Sequence, residues 1–336
     1  MTTNYGNPLD VIDCSSSEIP EHIFGSGEPI VLRGLVSDWP IVHQSLDSSA
    51  SAVNYLRAFY NKQPVNAFMA QPEINGRIFY NEAVDGFNFV QSSVYLDDAL
   101  DKLLEIADQD NSPTFYIGSL EIQKHLPGFS EANDLALKDN CARKSIWLGN
   151  ESVIAPHFDF PDNIACCVIG QRQFTLFPPE QHENLYVGPL DLTPAGQPIS
   201  MVNLRQPDLH KYPKFSTAMA AARTAILSPG DAIYIPSMWW HSVESLSAVN
   251  GLVNYWWRET PTHLGDPNNA LLHALLSIKD LPERQRRAWQ NIFNQYVFEQ
   301  PDDLYEHLPD EAKGKQGKIN ELTARRIRAL LVNKLK

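Results

Sequence analysis

TFYIGSL (114–120), SIWLG (145–149), NIACCVIG (163–170), QFTLF (173–177), TAILSPGDAIYIP (224–236) and GLVNYWW (251–257) are short β-branched and aromatic runs separated by Pro, Gly and Asn turns. Strands of this length at such intervals predict an all-β sandwich or barrel over about residues 114–260. Before this block, PIVLRGLV at 29–36 reads as an early buried strand. The stretches Ser51–Tyr60 and Tyr95–Ala107 carry helical spacing, as in Leu96, Leu100, Leu103 and Leu104. A polar loop from Glu180 to Ala222 interrupts the strands, and a loop that long is expected to be functional or to hold short elements of its own. After Trp257 the texture turns helical. Leu271, Leu272, Leu275 and Leu276 share one face, Trp289, Ile292, Phe293 and Tyr296 another, and Ile319, Leu322, Ile327, Leu330 and Leu331 a third. Three segments are therefore expected: an N-terminal α/β segment (1–113) flanking the barrel, a β core (114–260), and a C-terminal helical segment (261–336) whose apolar faces pack on the barrel or pair two copies as a homodimer.

Composition narrows the function. The chain has 336 residues, 43% of them apolar, which is ample to bury a core without staples. Its net charge is −13, although the tail from Glu311 to Lys336 carries eight basic residues against two acidic ones. So acidic a body repels phosphate backbones, which argues against nucleic acid as the main ligand. Cys14, Cys141, Cys166 and Cys167 show no CxxC spacing, and the adjacent pair reads as strand packing. The opening MTTNYGNPLD lacks a basic and apolar leader, and no run of about 18 apolar residues follows. A soluble, cytoplasmic protein with no membrane partner is expected.

The chemistry is concentrated in Ala155-Pro156-His157-Phe158-Asp159. In a strand, residues i and i+2 project to one face, so His157 and Asp159 can share a metal ion. The best third ligand is His241, which closes the apolar strand launched by the Pro229-Gly230-Asp231 turn. Two histidines and one carboxylate form the facial triad of non-haem iron oxygenases, which leaves coordination positions open for co-substrate and dioxygen. An HxD tripeptide alone carries little weight. The distant PGD-strand-WWH in an all-β setting is what raises it. None of the other histidines has a comparable setting, and no Gly-rich phosphate loop is present.

These motifs, with PIVLRGLVSDWP (29–40), FYIGSL (115–120), IWLGNESVIAPHFDFPDN (146–163), GQRQFTLFPPEQ (170–181), LSPGDAIYIPSMWWHSVESL (227–246) and VNYWW (253–257), resemble the cupin-like branch of the JmjC family. Those are the Fe(II)- and 2-oxoglutarate-dependent oxygenases built on a double-stranded β-helix. In pattern the chain is most similar to the asparaginyl hydroxylases among them. The resemblance implies a mainly β, jelly-roll fold of cupin (JmjC) type, with N-terminal α/β elements and a C-terminal helical segment. It implies iron ligands at His157, Asp159 and His241. It places Tyr116 and Arg172 against the distal carboxylate of 2-oxoglutarate, Asn163 and Asn254 at the co-substrate near iron, and Trp256 on the face of Asn254.

Two departures stand out. Ile154 replaces a threonine hydroxyl, and Arg172 replaces a lysine; it remains cationic but carries a planar fork. The alternative for Arg172 is a surface strand cation paired with Glu180 or a neighbour. The activity implied is a dioxygenase, a hydroxylase acting on an amino-acid side chain of a polypeptide or on a small metabolite, with release of succinate and CO2. Substrate is expected at the barrel mouth, between the segment Arg77–Asn88 and the loop Glu180–Phe215. N-methyl-lysine demethylation ranks lower, because no Cys/His reader cluster accompanies the core. A non-catalytic metal-binding cupin or interaction module, and a cupin isomerase, are the other classes.

Overall fold

The computed structural model describes residues 6–14, 18–109, 111–135, 137, 141–299 and 304–335. The chain separates into two compact units, Met1–Arg258 and Glu259–Lys336. The strands of the first unit are β1 (Asn7–Pro8), β2 (Asp10–Asp13), β3 (Ile30–Arg33), β4 (Val65–Ala70), β5 (Arg77–Ile78), β6 (Val90–Val94), β7 (Thr114–Glu121), β8 (Cys141–Gly149), β9 (Ser152–Phe158), β10 (Asp162–Ile169), β11 (Arg172–Phe177), β12 (Arg223–Leu227), β13 (Ala232–Ile235), β14 (Trp240–Ser245) and β15 (Asn250–Trp257). Its helices are α1 (Pro40–Asp47), α2 (Ser49–Arg57), α3 (Leu96–Ile106), α4 (Ile122–His125) and α5 (Phe215–Ala221).

The strands form two mixed sheets. One has six strands in the order β1-β12-β11-β14-β9-β5, and the other nine in the order β2-β3-β13-β10-β15-β8-β7-β4-β6. Side chains of both meet in one apolar cluster. Phe174, Leu176 and Val243 come from the smaller sheet, and Ala165, Cys167, Ile233 and Leu252 from the larger. The opposite face of the larger sheet is covered by α1, α2 and α3, through Ile41, Leu56, Leu100 and Leu103. Strand β10 is thus buried on both sides, which is why it reads as a continuous apolar run instead of alternating. Cys166 packs among the helices and Cys167 between the sheets, and both thiols are free. The mainly β, two-sheet architecture expected from the sequence is the one observed.

The early segment extends the sheets. β3 pairs antiparallel with β13, Ile30 opposite Tyr234, while β4 and β6 lengthen the far edge of the nine-stranded sheet. β5 lies parallel to β9, with Ile78 opposite Ile154, and so carries the segment after Arg77 to the end of β9. The long loop after β11 holds a 3₁₀ turn (Pro179–Leu185) and α5, which build a small core of Phe177, Leu185, Val202 and Phe215 around Trp240.

The turn before β13 joins three elements. Gly230 has φ +101°, and a Cβ there would meet the Ser37 Cα at 3.2 Å, so glycine is required. The buried Asp231 carboxylate accepts from the amides of Gly34 (3.1 Å) and Ser228 (2.9 Å) and pairs with the Arg33 guanidinium. It therefore fixes the start of the strand that leads to His241.

The second unit comprises α6 (Pro267–Ser277), α7 (Glu283–Phe293), α8 (Asp310–Lys313) and α9 (Glu321–Lys334). Asp266 caps α6 by accepting from the Asn268 amide, and Asn320 caps α9 by accepting from the Thr323 amide. Leu271, Leu272, Leu276, Trp289, Leu330 and Leu331 are exposed, and Ala324 is the only buried residue among the described residues of this unit.

Removing the Asp231 carboxylate strands two half-buried amide donors and the Arg33 guanidinium. Asp231→Ala is expected to lower the unfolding free energy by about 2–3 kcal/mol, and Asp231→Asn by less, since it keeps an acceptor. Urea denaturation of the two variants measures this. Equal midpoints for Asp231→Ala and wild type would refute the role.

Candidate metal centre

His157 is the penultimate residue of β9, and β14 begins just before His241. The two strands are antiparallel neighbours, and His241 is the register partner of His157, with a bulge between His241 and Val243. Asp159 lies just beyond β9, two residues after His157. Its backbone is held by the Met238 amide, which donates to the Asp159 carbonyl at 2.9 Å. Ligand atoms of His157, Asp159 and His241 all lie within 4.8 Å of one another, and His241 Nε2 is 3.8 Å from Asp159 Oδ2. The three side chains that the sequence brought forward thus converge.

Each histidine is pre-set for a metal. His157 Nδ1 lies 2.9 Å from the Ala155 carbonyl and His241 Nδ1 lies 3.0 Å from the Trp239 carbonyl. With the Nδ1–H groups donating there, both Nε2 lone pairs are free to bind a cation. Burial, with the neighbouring His157 adding to it, pushes the His241 imidazole pKa down, so little proton competition remains at neutral pH. The Asp159 carboxylate is gripped on both oxygens. Gln197 Nε2 donates to Oδ1 at 3.0 Å, and Trp256 Nε1 donates to Oδ2 at 3.3 Å. Two imidazole nitrogens and one carboxylate oxygen on one side of a cavity suit Fe(II) with open positions opposite.

That cavity holds about 250 Å³ and runs between the sheets. His157 and His241 line it together with Asn163, Asn254, Tyr116, Arg172 and Trp256, so the sequence-predicted residues gather around one space. Asn254 Nδ2 donates to Asn163 Oδ1 at 2.7 Å across the pairing of β15 with β10. The Asn254 Oδ1 is buried and has no partner among the described residues.

Arg172 is 2% exposed, which sets aside the reading of a surface cation paired with Glu180. Its charge interacts with the Tyr116 phenol, and its Nη2 donates to the Trp147 carbonyl at 3.3 Å. Its Nε has no partner, and no acidic side chain pairs with it among the described residues. Burial lowers the Arg172 pKa. It also pushes the Tyr116 phenol up to about 12, against the pull of the Arg172 charge. A buried cation without a counter-ion is costly unless an anion joins it. A dicarboxylate with one end at Arg172 fits that demand. Ile154, where a hydroxyl was the alternative, adds an apolar wall to the same cavity.

Both segments contribute to the cavity lining: Ile78 from one, and Pro194, Ala195 and Ile199 from the other. Tyr80 Oη donates to the Leu192 carbonyl at 2.7 Å and ties the two together. The contact that sequence reasoning missed is Gln197. It sits in a loop without periodicity, and no spacing rule links it to Asp159.

The model of the cupin-like domain family matches residues 16–263. Human HSPB1-associated protein 1 is 26% identical over 283 residues, covering 81% of this chain and 56% of that protein. Jumonji C domain-containing protein 5 of Drosophila melanogaster is 26% identical over 255 residues, covering 72% and 58%. Lysine-specific demethylase 8 of Xenopus tropicalis is 24% identical over 257 residues, covering 73% and 52%. The chain spans about half the length of the curated relatives it matches.

Proposed function

The chain belongs to the cupin-like domain family and is related to JmjC proteins, and from that premise we propose that it is an Fe(II)- and 2-oxoglutarate-dependent oxygenase, a hydroxylase of an amino-acid side chain or small metabolite. The observation that carries the reading is Arg172: a buried guanidinium with no acidic partner among the described residues, lining the same cavity as His157 and His241 of the triad. When bound, the metal and 2-oxoglutarate supply oxygen activation, with succinate and CO2 as by-products.

The protein's part is to bind, orient and exclude water. His157, Asp159 and His241 would hold the metal from one side. Arg172, steadied by Tyr116, would hold the distal carboxylate of 2-oxoglutarate through charge-assisted hydrogen bonds. Asn163 and Asn254, already bonded to each other, would present amide groups to the co-substrate beside the metal. Trp256 would wall the metal while holding Asp159 Oδ2. Phe68, Phe89 and Trp147 line the remaining cavity and keep it apolar. Such a lining protects a reactive centre from bulk water.

Substrate would enter between the Arg77–Asn88 segment and the loop bearing Pro194. The acidic chain favours a neutral or cationic partner, a polypeptide segment or a basic small molecule, over nucleic acid. The relative named lysine-specific demethylase 8 makes removal of an N-methyl group the second reading, since oxidising that carbon uses the same site. We place the protein in the cytoplasm. Its described cysteines are free, and no helix among the described residues is long and apolar enough to cross a membrane.

Arg172→Ala is expected to raise the 2-oxoglutarate concentration for half-maximal succinate release by about 10- to 100-fold, with Arg172→Lys in between. Mass spectrometry of the products separates a 16 Da gain from formaldehyde release. Unchanged 2-oxoglutarate dependence in Arg172→Ala would refute the anchor. The exposed leucines of α9 also lead us to propose a homodimer through the C-terminal helices. Sedimentation should give a two-protomer mass for wild type and a shift toward monomer for the Leu330→Glu/Leu331→Glu variant. A monomeric wild type would remove the dimer.

A further inference from the structure

The two oxygens of Asp159 have different surroundings. Oδ2 faces the triad, 3.8 Å from His241 Nε2. Oδ1 accepts from Gln197 Nε2 at 3.0 Å, while Oδ2 also accepts from Trp256 Nε1 at 3.3 Å. Gln197 belongs to neither sheet. It stands in the loop that borders the mouth, between Pro194 and Ile199, and itself lines the cavity.

That loop is tied down at several points. The Ser200 amide donates to the carbonyl of Pro156, the residue before His157, at 2.8 Å. Tyr80 Oη holds the Leu192 carbonyl at 2.7 Å. Further on, Arg205 Nε pairs with Glu244 Oε1 of β14 at 2.9 Å, and its Nη1 donates to the Asn75 carbonyl at 2.7 Å. The mouth loop therefore touches the metal-ligand segment twice, once through a backbone bond beside His157 and once through a side chain on Asp159.

We propose that Gln197 is a positioning residue that holds Asp159 to a single ligating oxygen and links the metal's ligand field to the mouth loop. This rests on the metal-centre reading above. With Oδ1 engaged by the Gln197 amide, the bond favours Oδ2 as the single ligating oxygen. Released from that bond, the carboxylate can turn and offer both oxygens, filling a position that co-substrate or dioxygen needs. Groups that hydrogen-bond a metal ligand commonly tune metal affinity about 10- to 100-fold. Because Gln197 is carried by the loop that borders substrate access, a ligand that shifts this loop would change how Asp159 binds the metal.

The test uses Co(II), whose visible absorption reports coordination and which needs neither 2-oxoglutarate nor substrate. The full chain is titrated as wild type, Gln197→Met and Gln197→Ala; methionine keeps the length and loses the donor. A further variant, Tyr80→Phe, loosens the loop away from Asp159. The expected result is a Co(II) affinity about 10-fold weaker and an altered visible spectrum in both Gln197 variants, with the thermal midpoint of the metal-free protein unchanged. Tyr80→Phe should move the spectrum in the same direction by less. Wild-type affinity and spectrum in Gln197→Met would overturn the proposal. So would an affinity loss matched by a fall in the metal-free midpoint, since that is a purely structural effect. Failure of the wild type to bind Co(II) would instead overturn the metal-centre reading on which it stands.

Discussion

The antiparallel pairing of β9 with β14 is the constraint on which the site depends. It places His241 opposite His157 and leaves Asp159 just past the strand end, where its side chain can turn toward both. A one-residue slip in a strand pair sends every side chain to the other face and would scatter this triad. Much of the surrounding structure serves that register. The Asp231 hub fixes the start of β13, and Trp240, the residue before the ligand, is packed by the small core of the long loop. The bulge between His241 and Val243 marks the point where the pairing adjusts.

Electrostatics supply the second condition. The cavity is mostly apolar, yet it has a cation at one end and a set of metal ligands at the other. Arg172 is held by the Trp147 carbonyl, which accepts from its Nη2, and by its interaction with the Tyr116 phenol, but its Nε has no partner among the described residues. Two partly satisfied ends separated by apolar walls match a small molecule that carries a carboxylate and also chelates a metal. The proposed function follows from that match more than from any single residue.

The sequence made a good part of this legible. The i, i+2 spacing of His157 and Asp159 put both on one face, and the same period put Asn254 and Trp256 together, where both line the cavity. The paired cysteines of β10 read as strand packing because a strand covered on both sides has no polar face to show. Other features depend on what covers a strand. β11 reads as a mixture of polar and apolar residues, yet all six of its residues are buried, so the burial of Arg172 could not be read from its neighbours. Gln197 was illegible for a related reason. Its role comes from where an aperiodic loop is pinned, and the residues it is pinned to, Tyr80 and Glu244, are far from it in the chain. The helical faces after residue 260 were visible as apolar stripes, but a stripe does not name the surface it meets.

The most direct measurement is anaerobic. Fe(II) and 2-oxoglutarate are added to the metal-free protein, and the visible metal-to-ligand charge-transfer absorption of a chelated 2-oxo acid is recorded for wild type, His157→Ala and Arg172→Ala. The account expects a band in wild type that is lost in His157→Ala and needs more 2-oxoglutarate to develop in Arg172→Ala. A wild type that binds Fe(II) but shows no band would contradict it, leaving a metal-binding cupin without this co-substrate.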